Sequence, residues 1–104
     1  MIYKEIFRLK EMLKETNIRF EWNVYNFMGG RGYQIIIYSK DGTYLCDCIE
    51  NFRSYGNKED KLEIVGGLTE EERADGSVLG WLTAEEVFKR FKYCYENNTD
   101  KYKE

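Results

Sequence analysis

The sequence predicts an α+β domain: an N-terminal helix, a three-stranded antiparallel sheet, short helical segments and a C-terminal helix, in α-β-β-β-α order. Three observations carry this. Apolar residues recur at helical spacing near the start and again after Thr83. They alternate one by one over residues 18–25, and an Asp-Gly pair separates two further strand-like runs, at residues 33–39 and 44–50. With 104 residues, 42% hydrophobic and 16% aromatic, the chain can build one modest core. A single domain over residues 1–96 with a polar tail at 97–104 is expected.

In the first helix, Ile2, Ile6, Leu9 and Leu13 form an apolar stripe that Phe7 and Met12 widen, while Lys4, Arg8, Lys10 and Glu11 fall on the other side. Asn17 ends it. Ile18, Phe20, Trp22 and Val24 then alternate with Arg19, Glu21, Asn23 and Tyr25, the mark of a strand with one buried face. Met28-Gly29-Gly30-Arg31-Gly32 reads as a mobile loop, residues 33–39 as a second strand and residues 44–50 as a third. A two-residue turn at Asp41-Gly42 sets the register. Ile37 then opposes Cys46 and Ile35 opposes Cys48 on one face, where the small cysteines let a helix lie close. Tyr38 opposes Leu45, Gln34 opposes Ile49 and Ile36 opposes Asp47 on the other. That second face is too apolar for ordinary solvated surface, so later segments or a partner should cover it.

Residues 51–58 read as a loop. Asn57 is placed to cap a short helix containing Leu62, Ile64 and Val65, which Gly66-Gly67 stops. Thr69 with Glu72 forms a capping box for one acidic turn that Gly76 closes. Residues 78–81 read as extended or bent. Thr83 with Glu86 caps the last helix, Leu82 and Val87 staple its start, and Ala84, Phe88, Phe91 and Tyr95 make its buried stripe. Lys89, Arg90 and Lys92 suit its later turns. The polar tail is expected to fray.

The composition excludes much chemistry. No histidine is present, which removes the usual general base, metal ligand and imidazole-dependent triads. Cys46, Cys48 and Cys94 suit a core better than a zinc site, and their odd number argues against a disulfide framework. No catalytic residue, metal or cofactor is expected. No apolar run of 18 residues exists, and the N-terminus lacks a signal-peptide block, so a cytoplasmic protein without a membrane span is expected. The net charge is −3, yet residues 59–86 carry nine acids against two bases, a local −7 that leaves +4 elsewhere. The element order resembles that of double-stranded-RNA-binding domains. Thr83-Ala84-Glu85-Glu86, however, stands where such a domain would need a basic cluster, which argues against direct nucleic-acid binding.

The candidate binding residues are Arg53, Ser54, Tyr55 and Asn57, a loop beyond an edge strand, together with the acids Glu70, Glu71 and Glu72. Trp81, between leucines, is expected to cover one end of the sheet. The run Ser54-Tyr55-Gly56, then residues 62–72 from Leu62 to Glu72, then residues 78–88 from Val78 to Phe88, resembles small uncharacterised proteins encoded by phages and prophages of Gram-positive bacteria. The resemblance covers about residues 51–92. It implies a non-enzymatic phage accessory protein in the bacterial host cytoplasm, of the kind that antagonises defence systems. The charge layout adds docking on a host or phage protein with a basic surface through the acidic side and the Arg53–Asn57 loop. The alternative is a sponge for a nucleotide signal, acting as a homo-oligomer, with aromatic rings for stacking and Arg31, Arg53, Lys89 and Arg90 for phosphate.

Overall fold

The computed structural model describes residues 2–104 and is an α+β domain built on an antiparallel sheet. The chain runs α1 (Glu5–Lys14), β1 (Phe20–Phe27), β2 (Gly30–Tyr38), β3 (Tyr44–Glu50), β4 (Leu62–Val65), α2 (Glu70–Ala74), β5 (Val78–Leu82) and α3 (Ala84–Asn97), with one 3-10 turn at Asn57–Glu59. The sheet has five strands, not three, in the order β1-β2-β3-β4-β5.

The two added strands correct the sequence reading. Leu62–Val65 is extended rather than helical, and Ile64 pairs with Cys48. Four residues with Leu62 and Ile64 buried fit a period of two as well as a helical turn, and the outer edge of β3 decides between them. Asp60 ends the 3-10 turn in a left-handed conformation (φ 53°). Its carboxylate accepts hydrogen bonds from Lys4 N (3.0 Å) and Glu5 N (3.2 Å), so the N-terminus of α1 holds the chain in the shape that β4 needs. Asn57 does not cap through its side chain; its Nδ2 donates to Ser54 O at 2.6 Å. α1 itself begins at Glu5, three residues later than its apolar stripe suggests.

The hairpin register agrees with expectation at Ile37–Cys46, Ile35–Cys48, Gln34–Ile49 and Ile36–Asp47, but Tyr38 pairs with Tyr44 rather than Leu45. The turn spans Ser39 to Thr43, with Gly42 N donating to Ser39 O (2.9 Å) and Ser39 N to Thr43 O (2.7 Å). A bulge at Leu45 absorbs the residue by which the turn differs, and it turns Leu45 inward, where it is buried. The 28–32 segment is likewise tighter than expected: Met28 and Gly29 alone form the turn, and Gly30 already pairs with Phe27.

α1 and α3 lie side by side on one face of the sheet. Ile6, Leu9 and Leu13 from α1, and Ala84, Val87, Phe91 and Cys94 from α3, pack on Ile35, Ile37, Cys46, Cys48, Leu62 and Ile64. The helices are parallel, with adjacent N-termini: Glu5 Oε2 accepts from Ala84 N (3.0 Å), and Arg8 bonds both Glu5 and Glu85. No element among the described residues covers the opposite face. Its half-buried apolar side chains are interleaved with a hydrogen-bonded row in which Asn23 donates to Glu21 and Gln34, and Gln34 donates to Asp47.

The C-terminal segment does not fray. Asn98 ends α3 in a left-handed cap, and Lys101 then bridges Leu68 in parallel; Tyr102 N donates to Leu68 O (2.9 Å). Tyr102 is buried edge-on to Tyr93 and beneath the Arg90 guanidinium. No helix is long and apolar enough to cross a membrane.

Candidate functional site

β4 separates the two groups of sequence-predicted binding residues. The 51–61 loop lies at its start and α2 at its end, about 13 Å apart along four extended residues. The same arrangement divides the molecule. The loop end gathers the β1–β2 turn, the 51–61 loop and the N-termini of α1 and α3; the far end gathers the β2–β3 turn, α2 and the C-terminal segment.

At the loop end, β5 carries a bulge. Between the pairs Leu62–Leu82 and Ile64–Leu79, one residue of β4, Glu63, stands against two of β5, Gly80 and Trp81, which are the distorted pair. Trp81 adopts φ 58°, a left-handed conformation that costs a bulky residue about 1–2 kcal/mol. Its N–H donates to Tyr55 O (3.2 Å) instead of to β4. Two glycines make this approach feasible. A Cβ on Gly80 would lie 2.3 Å from Tyr55 Cβ, and one on Gly56, itself at φ 97°, would lie 3.0 Å from the Trp81 backbone. The result is a parallel pair of rings, Tyr55 and Trp81, with centroids 5.8 Å apart and planes within 5°. Both residues are 55% exposed. Glu59 accepts the indole N–H of Trp81 (3.0 Å), and Glu63 accepts the backbone N–H of Tyr55 (2.8 Å).

Ser54 and Asn57 shape this loop from inside. Ser54 is buried and exchanges hydrogen bonds with Asn51, whose Nδ2 reaches Tyr25 OH at 3.0 Å. Arg53 is exposed, with its backbone N–H bonded to Asn51 Oδ1. Of the four loop residues, Arg53 and Tyr55 are exposed, Asn57 is half-buried and Ser54 is buried. Trp81 corrects the sequence reading, since it is displayed rather than used to cover the sheet. A glycine beside an aromatic inside a short apolar run was the available signal.

Beside the loop, Tyr3, Phe7, Arg31, Tyr33, Phe52 and Asn57 line a cleft of about 500 Å³. Its rings form a connected cluster, Phe7 edge-on to Tyr33 (4.9 Å) and Trp22 stacked on Tyr33 (5.7 Å). Beneath it, Glu50 is buried among Ile6, Asp60 and Glu5. Burial first, then the hydrogen bond to Asp60, push its carboxyl up to about 9. One oxygen accepts from Ile6 N (3.4 Å); the other finds no donor, a deficit removed when it carries a proton toward Asp60.

At the far end, Glu70 and Glu71 are exposed in the first turn of α2, in a hollow whose walls include Lys101 and Lys103. Glu72 is committed elsewhere: it closes the Thr69 capping box and accepts both Arg90 guanidinium nitrogens (2.7 and 2.9 Å), which hold its carboxyl down at about 2. Arg90 also bonds Gly67 O, so of the four cations named for phosphate contact only Arg31 lines the cleft.

The three cysteines are free and buried, and among the described residues no group of three or more Cys, Asp or Glu side chains is placed to hold a metal ion. Comparison with protein-family models, curated proteins and solved structures finds no match.

Proposed function

We propose that this chain is a non-enzymatic binding protein that docks on another protein through its loop end, with Tyr55 and Trp81 as anchors. The observation that carries the reading is the exposed pair of parallel, stacked rings, held by a left-handed Trp81 and two close-fitting glycines. Trp81 is strained yet more than half exposed, so the strain holds its ring at the surface beside Tyr55 rather than in the core, and Trp and Tyr are the side chains that dominate protein contacts. Glu59 and Glu63 beside the rings suit a basic partner surface, since a cationic side chain laid over the pair meets ring faces and carboxylates together. Under the phage resemblance, that partner is a host protein such as a defence component.

The test is affinity capture from bacterial lysate with the wild-type chain, Trp81→Ala and the double variant Glu70→Lys/Glu71→Lys. A protein retained by the wild type and the double variant but lost with Trp81→Ala is the expected result. Identical capture by all three would end the reading. The cleft supports a narrower form of the nucleotide alternative, since it combines stacking faces with Arg31. Thermal shifts against cyclic and linear nucleotides test it, and no stabilisation by any of them would retire it.

A further inference from the structure

Pairs in an antiparallel ladder alternate between bonded and non-bonded, and Tyr38 N donates to Arg19 O (3.1 Å) in the β1–β2 register. Residues 19, 21, 23 and 25 therefore turn their backbone groups toward β2. Phe20, Trp22, Val24 and Asn26 turn theirs outward, along the open edge of the sheet. This edge is eight residues long, in unbroken register, without proline, lysine or bulge. Such an edge is a template for another strand.

We propose that β1 pairs antiparallel with β1 of a second copy, about a two-fold axis through Asn23, to make a continuous ten-stranded sheet. The register follows from the outward groups. Trp22 meets Val24 of the other copy and Phe20 meets Asn26, four bonded pairs contributing about eight hydrogen bonds. Trp22–Val24 is an aromatic–β-branched pair made twice, on the helix side of the sheet. Phe7 and Lys10 of α1 pack on Trp22, but Val24 beside it is 48% exposed in the single chain, so the pairing covers apolar surface that the fold leaves open there. The one charged residue of the strand, Glu21, opposes Tyr25, so no like charges meet. A second copy suits the edge better than an unrelated extended segment because isologous pairing consumes both β1 edges at once. Only the bulged β5 edges remain, and growth stops at the dimer.

Sedimentation of the full chain at sub-millimolar concentration should give twice the 12.5 kDa chain mass. Asn23 is a non-bonded pair on the axis, with Cα atoms about 4.5 Å apart, inside the range that a disulfide spans. Asn23→Cys should therefore cross-link on mild oxidation. Glu21→Cys should not, because its symmetry mate lies four residues away along the strand, about 13 Å. Val24→Pro removes an outward N–H while leaving the β2 ladder intact, and should give a folded monomer by circular dichroism. A monomeric wild type would overturn the proposal. So would a dimer that Asn23→Cys fails to cross-link, or edge amides at Trp22 and Val24 that become protected from exchange only when a different protein is added. The cross-link stands as evidence even if Val24→Pro does not fold.

Discussion

β1 and β5 are the two edges of one sheet, yet β1 keeps eight residues in unbroken register while β5 has five, with a bulge, a glycine and a left-handed tryptophan. A neighbouring strand could extend the first with little adjustment. The second is unusable for that purpose, because Trp81 N is already bonded to Tyr55 O and the backbone turns away from the plane of the sheet. The difference shows that blunting an edge and displaying a side chain are one structural act here: the distortion that stops pairing also presents the aromatic rings.

The largest effect should come from forcing the β5 edge back toward regularity. Gly80→Val places a side chain into Tyr55, and should cost about 3 kcal/mol in urea denaturation while separating the rings. Loss of the Trp81 fluorescence signature of the stack in a protein of unchanged stability would contradict that coupling.

Next comes a test of the loop end, where Glu50 lies at the end of β3 between the two edges. Glu50 is protonated in the folded chain up to about 9, against an ordinary value of 4.5, so folding takes up a proton between those limits and stability falls as pH rises through them. Glu50→Gln cannot ionise and keeps a donor for Asp60 and an acceptor for Ile6 N. It should match the wild type at pH 4.5 and exceed it by about 2 kcal/mol at pH 8, after allowance for relaxation. A difference independent of pH would mean that Glu50 is not the titrating group.

The smallest effect sharpens the comparison most. Trp81→Gly relieves a left-handed conformation but loses a stack and the bond to Glu59, each on the order of 1 kcal/mol. Thermal denaturation should therefore change little, within about 1 kcal/mol, while partner capture is abolished. A large loss of stability would make Trp81 a structural residue.

Much of the fold was legible where periodicity ran long enough. The stripe of α1, both capping boxes and the Ile35–Cys48 and Ile37–Cys46 pairs follow from local pattern, whereas the stripe of α3 is right at Ala84 and Phe91 and displaced elsewhere, since Val87 and Cys94 are buried and Phe88 and Tyr95 only partly so. That register survived a misread turn because a longer loop and the Leu45 bulge cancel. β4 was not legible, and β5 only as one of two alternatives, extended or bent, because four or five residues cannot declare a period and their conformation depends on distant partners such as Asp60 at Lys4 N. The docking of Tyr102 was hidden in a polar stretch for the same reason. Of the site, Tyr55 was readable from its loop, whereas its alignment with Trp81 depends on Gly56 and Gly80 fitting across different segments.

The parallel arrangement of α1 and α3 has an electrostatic consequence. Two helix starts side by side place roughly half a positive elementary charge each at the loop end, and Asp60, Glu5 and Glu86 are spent on those starts as caps. Counting carboxylates therefore overstates the field that an approaching molecule meets. What remains is Glu59 and Glu63 set against Arg53, Lys58 and Lys61 of the same loop, a near balance, so recognition at this end should depend on close fit more than on long-distance attraction.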